Sequence, residues 1–162
     1  MVPDSYDVED VFAGILEENY VVKIKNATQS YDPNLSPEYS NLYVLELKSG
    51  YFIKVNEDCE FSIYGYVVDP LENTISLALG WNLISYLPQV QIAPEEALES
   101  VLGNLVKVKD ELTSYDPNLE PVYNNLYNMI PGKGYWINVD AACNLTYPVT
   151  GTTRESNNDI AY

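Results

Sequence analysis

The sequence predicts a mainly β, antiparallel protein with one short helix per repeat, its two tandem pseudo-symmetric units sharing a core. Internal repetition is the first observation behind this: Tyr31-Asp32-Pro33-Asn34-Leu35 returns letter for letter as Tyr115-Asp116-Pro117-Asn118-Leu119. Displaced by 84 positions, residues 22–59 align with residues 106–143 without a gap, with 19 identities in 38 positions. Composition is the second: 15 Tyr, 10 Pro and 8 Gly favour pleated surfaces broken by turns over a helical bundle. The third is period-two patterning in Val22-Lys23-Ile24-Lys25 and again in Val106-Lys107-Val108-Lys109. The repeat divides the chain into a first unit at residues 1–73, a second at 74–150, and a tail or start of a further repeat at 151–162.

Val8, Val11, Phe12 and Ile15 stand at helical spacing behind the acidic Glu9 and Asp10, which predicts a helix over residues 8–16. Its counterpart, residues 94–102, opens on Pro94 with Glu95 and Glu96 and stops at Gly103. The helices are offset by 86, so the first unit holds two extra residues in its Glu17-Glu18-Asn19 turn. In the alternating strands that follow, Val22, Ile24, Val106 and Val108 are expected inward and the lysines outward, near carboxylates they neutralise.

The repeated Asp-Pro-Asn is turn chemistry, because Pro fixes φ and the Asp and Asn side chains satisfy local backbone donors. Residues 37–43 and 121–127 read as aromatic loops with room for a short helical turn. Ile130-Pro131-Gly132-Lys133-Gly134 makes a tight reversal into a strand over residues 135–139. Its first copy, Leu47-Lys48-Ser49-Gly50, lacks the Pro and one Gly, so a looser turn is expected before residues 51–55. Each unit closes on a strand, residues 59–63 and 143–147. Thr74-Ile75-Ser76-Leu77 and Gly80-Trp81-Asn82-Leu83-Ile84-Ser85-Tyr86 add two strands that the first unit lacks, so residues 75–86 are expected to serve both sheets. Asp159-Ile160-Ala161-Tyr162 resembles the opening of another such strand. The chain therefore reads as cut from a longer array or arranged so that one unit completes its neighbour.

With 24 acidic against 8 basic residues the formal charge is −16, which repels phosphate backbones and anionic lipid. No nucleic acid partner and no membrane insertion are expected, and no apolar run approaches the ~20 residues that span a bilayer. The absence of His removes Ser-His and Cys-His nucleophilic chemistry and the usual zinc ligands. No enzymatic activity and no cofactor are predicted. The oxygen-rich Asn56-Glu57-Asp58 and Asp69-Pro70-Leu71-Glu72-Asn73 offer weak calcium ligands without the spacing of a known loop.

Cys59 and Cys143 hold equivalent positions, and two readings stand: a pair of buried thiols, or a disulfide between the repeats if a twofold axis brings their strands together. Trp136 and Asn138, with Phe52 and Lys54 in the first unit, share a strand face and form the candidate binding platform, since aromatic planes flanked by polar groups suit sugar rings. That face is either open to solvent or covered by the loop at residues 123–127. Tyr31 and Tyr115 either stack on a sugar or pack over their turns.

Taken together, Gly80-Trp81-Asn82-Leu83-Ile84, the Tyr115-Asp116-Pro117 corner and Pro131-Gly132-Lys133-Gly134-Tyr135-Trp136-Ile137-Asn138-Val139 resemble a tandem repeat found in secreted and cell-surface proteins of bacteria and archaea. The second unit carries the resemblance over about residues 75–147, and the first only from its helix onward. The resemblance implies an extracellular or cell-surface location, with any leader outside this sequence. The expected function is a non-catalytic repeat module for binding or adhesion, with glycan as the favoured ligand. The alternative is a structural spacer or self-assembling subunit of a stalk, layer or filament. Partners are then a surface glycan or protein and neighbouring repeats of the same protein.

Overall fold

The computed structural model describes residues 2–3, 6–63 and 65–148. The expected strand opening at residues 159–162 lies outside the described residues. The first half runs β1 (Val2–Pro3), α1 (Val8–Val11), α2 (Ala13–Glu17), β2 (Val21–Lys25), β3 (Ser30–Tyr31), β4 (Phe52–Val55) and β5 (Gly65–Tyr66). The second runs β6 (Ile75–Leu77), β7 (Gly80–Ser85), α3 (Pro94–Ala97), β8 (Leu105–Lys109), β9 (Ser114–Tyr115), β10 (Gly134–Val139) and β11 (Cys143–Leu145). Every strand pairing is antiparallel, as the sequence predicts.

Sheet order is β3-β2-β4 in the first half and β7-β10-β8-β9 in the second, with two-stranded pairs β11-β6 and β1-β5. Pairing recurs at the sequence offset: Ile24↔Ile53 and Lys25↔Phe52 in β2-β4 become Val108↔Ile137 and Lys109↔Trp136 in β8-β10. Each long pair also carries a bulge, between Val21 and Lys23 and between Leu105 and Lys107. The extra residue breaks strict alternation. Val21, Ile24, Leu105 and Val108 are therefore buried, while Val22 and Val106, expected inward, are only half-buried.

The single helix expected over residues 8–16 is two short pieces, because Phe12 leaves helical geometry at φ −105°, ψ 13°. Asp7 caps the first, its carboxylate accepting the Glu9 N–H at 2.9 Å. The counterpart is α3 followed by a 3-10 turn over Glu99–Val101. Pieces this short are not stable by propensity. Burial holds them, through Val8, Phe12 and Ile15 on one side of the molecule and Ala97, Leu98 and Val101 on the other.

Both Asp-Pro-Asn corners form as expected: Asp32 accepts the Asn34 N–H at 3.0 Å and Asp116 the Asn118 N–H at 2.9 Å. The aromatic loops hold 3-10 turns at Pro37–Tyr39 and Pro121–Tyr123.

The shared core expected from the sequence resolves into two clusters. The larger gathers Ile75, Leu77, Ile84, Tyr86 and Leu87 from the β6-β7 region with Leu98, Tyr135, Ile137, Leu145 and Tyr147. The smaller holds Val8, Phe12, Ile15, Val21, Ile24 and Leu42. Their inequality follows from topology, since Ile75 and Leu77 of β6 and Ile84 of β7 all join the larger cluster.

β7 nevertheless joins the halves. One edge pairs with β10, while Ser49 forms an antiparallel bridge to Ile84, the Gly50 N–H donates to the Leu83 carbonyl at 3.2 Å, and the Ser85 N–H donates to Lys48 at 3.3 Å. The Ser85 hydroxyl adds a bond to the Leu47 carbonyl at 2.5 Å. β7 therefore serves both halves, whereas among the described residues β6 pairs with β11 alone. The turn at residues 47–50, expected to be loose, is pinned by these bonds and by Ser49 donating to Glu46 through both its N–H and its hydroxyl.

Approach at this junction is close. A Cβ on Gly50 would lie 2.6 Å from the Ile84 carbonyl oxygen, and one on Gly134 would lie 3.1 Å from the Gly50 Cα.

The strand expected at residues 59–63 does not form. Its counterpart β11 is a strand because β6 lies beside it, with Cys143↔Leu77, Asn144↔Ser76 and Leu145↔Ile75 in register. Among the described residues, nothing pairs with residues 59–63 in this way.

Candidate functional site

Strand alternation in β10 sends Tyr135, Ile137 and Val139 into the core and leaves Trp136 and Asn138 on the opposite face, as expected. Trp136 is half-buried there. Its cover is neither solvent nor the loop at residues 123–127, where Tyr123 and Tyr127 are themselves exposed. It is Phe52, at 6.4 Å between ring centroids and 31° between planes, and Trp81, at 6.4 Å and edge-on at 89°.

Phe52 and Trp136 are therefore brought together across the junction of the halves, and Asn138 lies beside them, opposite Trp81 and Lys107. Lys54 stands two residues along from Phe52, exposed and opposite Lys23. The strand lysines reach rings as well as solvent: the Lys25 ammonium lies 5.8 Å over Phe52 and the Lys109 ammonium 5.0 Å over Trp81. Carboxylate pairing falls instead to Lys133, which bridges Asp110 at 3.0 Å. Burial opposes ionisation of Asp110, but donation from Thr113, Lys133 and Leu112 holds its carboxyl at about 2.

Trp81 is the member that sequence reasoning missed. It is 47% exposed, and its place on this face depends on the pairing Asn138↔Trp81. Alternation puts Trp81 and Leu83 on one face of β7, but nothing in the sequence names the strand that lies alongside.

Tyr31 and Tyr115 lie away from this stack, over the helix starts. The Tyr31 hydroxyl donates to Glu9 at 3.1 Å, and burial, then Glu9, raises its pKa. Tyr115 is buried, and burial with the nearby Glu95 and Asp116 pushes it up to about 12. Tyr31 packs against the smaller cluster and Tyr115 lies in the larger one.

Cys59 and Cys143 are free thiols, which corrects the disulfide reading. Cys59 packs against the smaller cluster and Cys143 against the larger, so the repeat does not bring the two sulfurs together. Burial, aided by Asp140, raises the Cys143 thiol.

The oxygen-rich loop at Asp69 satisfies its own backbone, Asp69 accepting the Leu71 N–H and its carbonyl accepting the Asn73 side chain, while Asn56 donates to the Asn19 and Tyr20 carbonyls. Among the described residues no group of three acidic or Cys side chains converges as a metal site.

A second feature, not expected from the sequence, is a cleft of about 630 Å³ between the halves. One wall is apolar and belongs to the first repeat: Val11, Phe12, Tyr51, Ile53, Phe61 and Ile63. The facing wall includes Ser85, Tyr86, Leu87 and Lys133. At the repeat offsets, the first wall corresponds to Ala97, Leu98, Tyr135, Ile137, Leu145 and Tyr147, every one of which is 0% exposed. The difference is cover. Side chains from the β6-β7 region share the cluster of the second set, whereas Phe61 and Ile63 remain 41% and 39% exposed. The charged groups on the cleft wall, Glu46 and Lys133, stand with tyrosines and aliphatics in an arrangement suited to holding an extended apolar chain.

No family model, curated protein or solved structure matches the chain. No helix among the described residues is long and apolar enough to cross a membrane.

Proposed function

We propose that the protein is a non-catalytic structural module of an extracellular stalk, layer or filament, in which the first repeat has no strand pair of the β6-β7 type among its described residues. Its cleft is the seat of a β6-β7-type strand pair. The observation that carries this reading is the contrast between Phe61 and Ile63 on the cleft wall, 41% and 39% exposed, and their counterparts Leu145 and Tyr147, each 0% exposed in the cluster that includes the β6-β7 region.

The two units are copies of one fold related by a local twofold axis at their junction. Support comes from equivalent residues meeting each other, Gly50 against Gly134 and Phe52 against Trp136, as a self-complementary contact requires. On this reading the aromatic stack is the glue between units.

The test is to supply the missing strands covalently. Tyr6 precedes α1 as Ile92 precedes α3, and their bonding matches: the Leu45 N–H donates to Tyr6 and the Met129 N–H to Ile92. A second copy of residues 74–91 placed ahead of Tyr6, in place of residues 1–5, is expected to raise the melting temperature by several degrees and protect residues 59–61 from hydrogen exchange. An unchanged melting temperature with no new protection contradicts the reading.

The glycan reading keeps one supporting observation, the exposure of Trp81 beside Lys109 and Asn138. It requires Trp81→Ala to abolish retention on a polysaccharide affinity gel while leaving the melting temperature within about 2 °C; absence of retention by the parent chain on any polysaccharide removes it.

A further inference from the structure

Resting on the glycan reading of Trp81 and independent of how the cleft is filled, we infer that the lysine-bearing face of the two sheets holds an acidic polysaccharide with one carboxylate per sugar, a polyuronate.

The face is written into the strands. Of the eight basic residues in the chain, Lys23, Lys25, Lys54, Lys107 and Lys109 lie in β2, β4 and β8. Directly opposed residues share a side of a sheet. Register therefore sets Lys25 with Phe52, Lys23 with Lys54, Lys109 with Trp136 and Lys107 with Asn138, all on the side away from the buried Ile24, Val108 and Ile137. The ring contact between Phe52 and Trp136 makes the two faces continuous. None of β2, β3, β4, β7, β8, β9 and β10 carries an Asp or Glu, so all 24 acids of the chain stand off these strands.

Among the described residues none of the five lysines is ion-paired with a carboxylate. Lys23 and Lys54, directly opposed, repel each other. A chain with three acids for every base has thus gathered its lysines where no carboxylate answers them. An anion lying across the face relieves that repulsion.

Trp81 supplies the platform. It is 47% exposed with the Lys109 ammonium 5.0 Å from its ring centre, so a sugar packed on the ring presents its carboxylate beside a cation. Trp81 also lines a hollow of about 400 Å³ with Lys48, Ser49, Ser76 and Asn82, polar groups suited to sugar hydroxyls. The carboxylate in that hollow, Glu46, accepts from the Ser49 hydroxyl at 3.0 Å. Nucleic acid fits less well. A duplex carries a charge every ~1.7 Å and is repelled by a protein of charge −16. A single strand needs rings open to successive bases, whereas Phe52 and Trp136 are engaged with each other. A polyuronate, with one charge per sugar, meets less repulsion and asks for one open ring.

The experiment measures binding of the full chain to agarose beads carrying polygalacturonate, dextran, dextran sulfate or single-stranded oligothymidylate, with EDTA present. Saturable binding to polygalacturonate is expected at about 20 mM salt and should be lost by about 0.5 M, as screening removes the lysine contribution. Two double variants, Lys25→Gln with Lys109→Gln and Lys23→Gln with Lys107→Gln, should each weaken it at least about tenfold with the melting temperature unchanged. Trp81→Ala should weaken it by a similar factor, roughly tenfold, and Trp81→Phe should restore most of the loss. A Leu71→Glu, Val122→Glu variant changes the net charge by the same amount at exposed positions off these strands and should bind as the parent does.

Undiminished binding by the lysine variants, equal loss in the Leu71→Glu, Val122→Glu control, or preference for dextran sulfate or oligothymidylate would each overturn the proposal. Binding to dextran alone keeps the glycan reading and removes the polyuronate. Absence of binding to every polysaccharide removes both.

Discussion

Single residues fix the junction and its acid response. Gly50 has no room for a side chain, since an added Cβ would meet a backbone oxygen, which cannot rotate away. Gly50→Ala is therefore expected to cost about 1–3 kcal/mol. Gly14, with nothing within 4 Å of an added Cβ and a helical position in α2, is expected to gain up to ~1 kcal/mol on the same change. Thermal melts of the two variants should move in opposite directions. Asp110 gives a pH dependence: its carboxyl is held at about 2, below the ordinary carboxylate value. A depressed folded-state pKa means stability that is present above pH ~4 and lost as pH falls toward 2. Asp110→Asn should lower the melting temperature at neutral pH and flatten this part of the acid limb, as read by melts at pH 2, 3, 4 and 7. The Gly50 constraint was partly legible, because a glycine held in both repeats ahead of a strand marks a special backbone position. Its reason, the approach of Ile84, depends on which strand crosses there and was not.

At the scale of elements, the same sequence pattern gives a strand or an irregular segment according to its neighbour. Residues 59–61 and 143–145 share Cys and an apolar residue two places on, and both read as strands. Only the latter has β6 beside it. Leu145→Ala is expected to cost 2–5 kcal/mol, as truncation of a residue with no exposed surface, whereas Phe61→Ala should cost less than half of that. Denaturant unfolding of the two variants compares them directly. The outward placement of Trp136 and Asn138 and the corner made by Asp32 and Asp116 were legible from alternation and turn chemistry alone. The bulges at Val21 and Leu105 were not, since no Gly or Pro stands at either to announce it.

For the whole molecule, composition and strand patterning announced the mainly β, antiparallel character, but two features depended on how the strands distribute between the halves. Among the described residues no strand pair of the β6-β7 type lies over the first half, the apolar residues form a large and a small cluster, and a cleft lies between the halves. Sequence comparison of the repeats registers such an absence as a shorter alignment and says nothing of the hole it leaves. That residues 59–61 have no strand neighbour among the described residues is the central claim, and hydrogen exchange read by mass spectrometry on dilute protein tests it most directly. Peptides covering residues 143–145 are expected to exchange at least ~100-fold more slowly than peptides covering residues 59–61, which should exchange close to the rate of an unstructured chain. Comparable protection of both segments would contradict the account, because residues 59–61 would then have a partner.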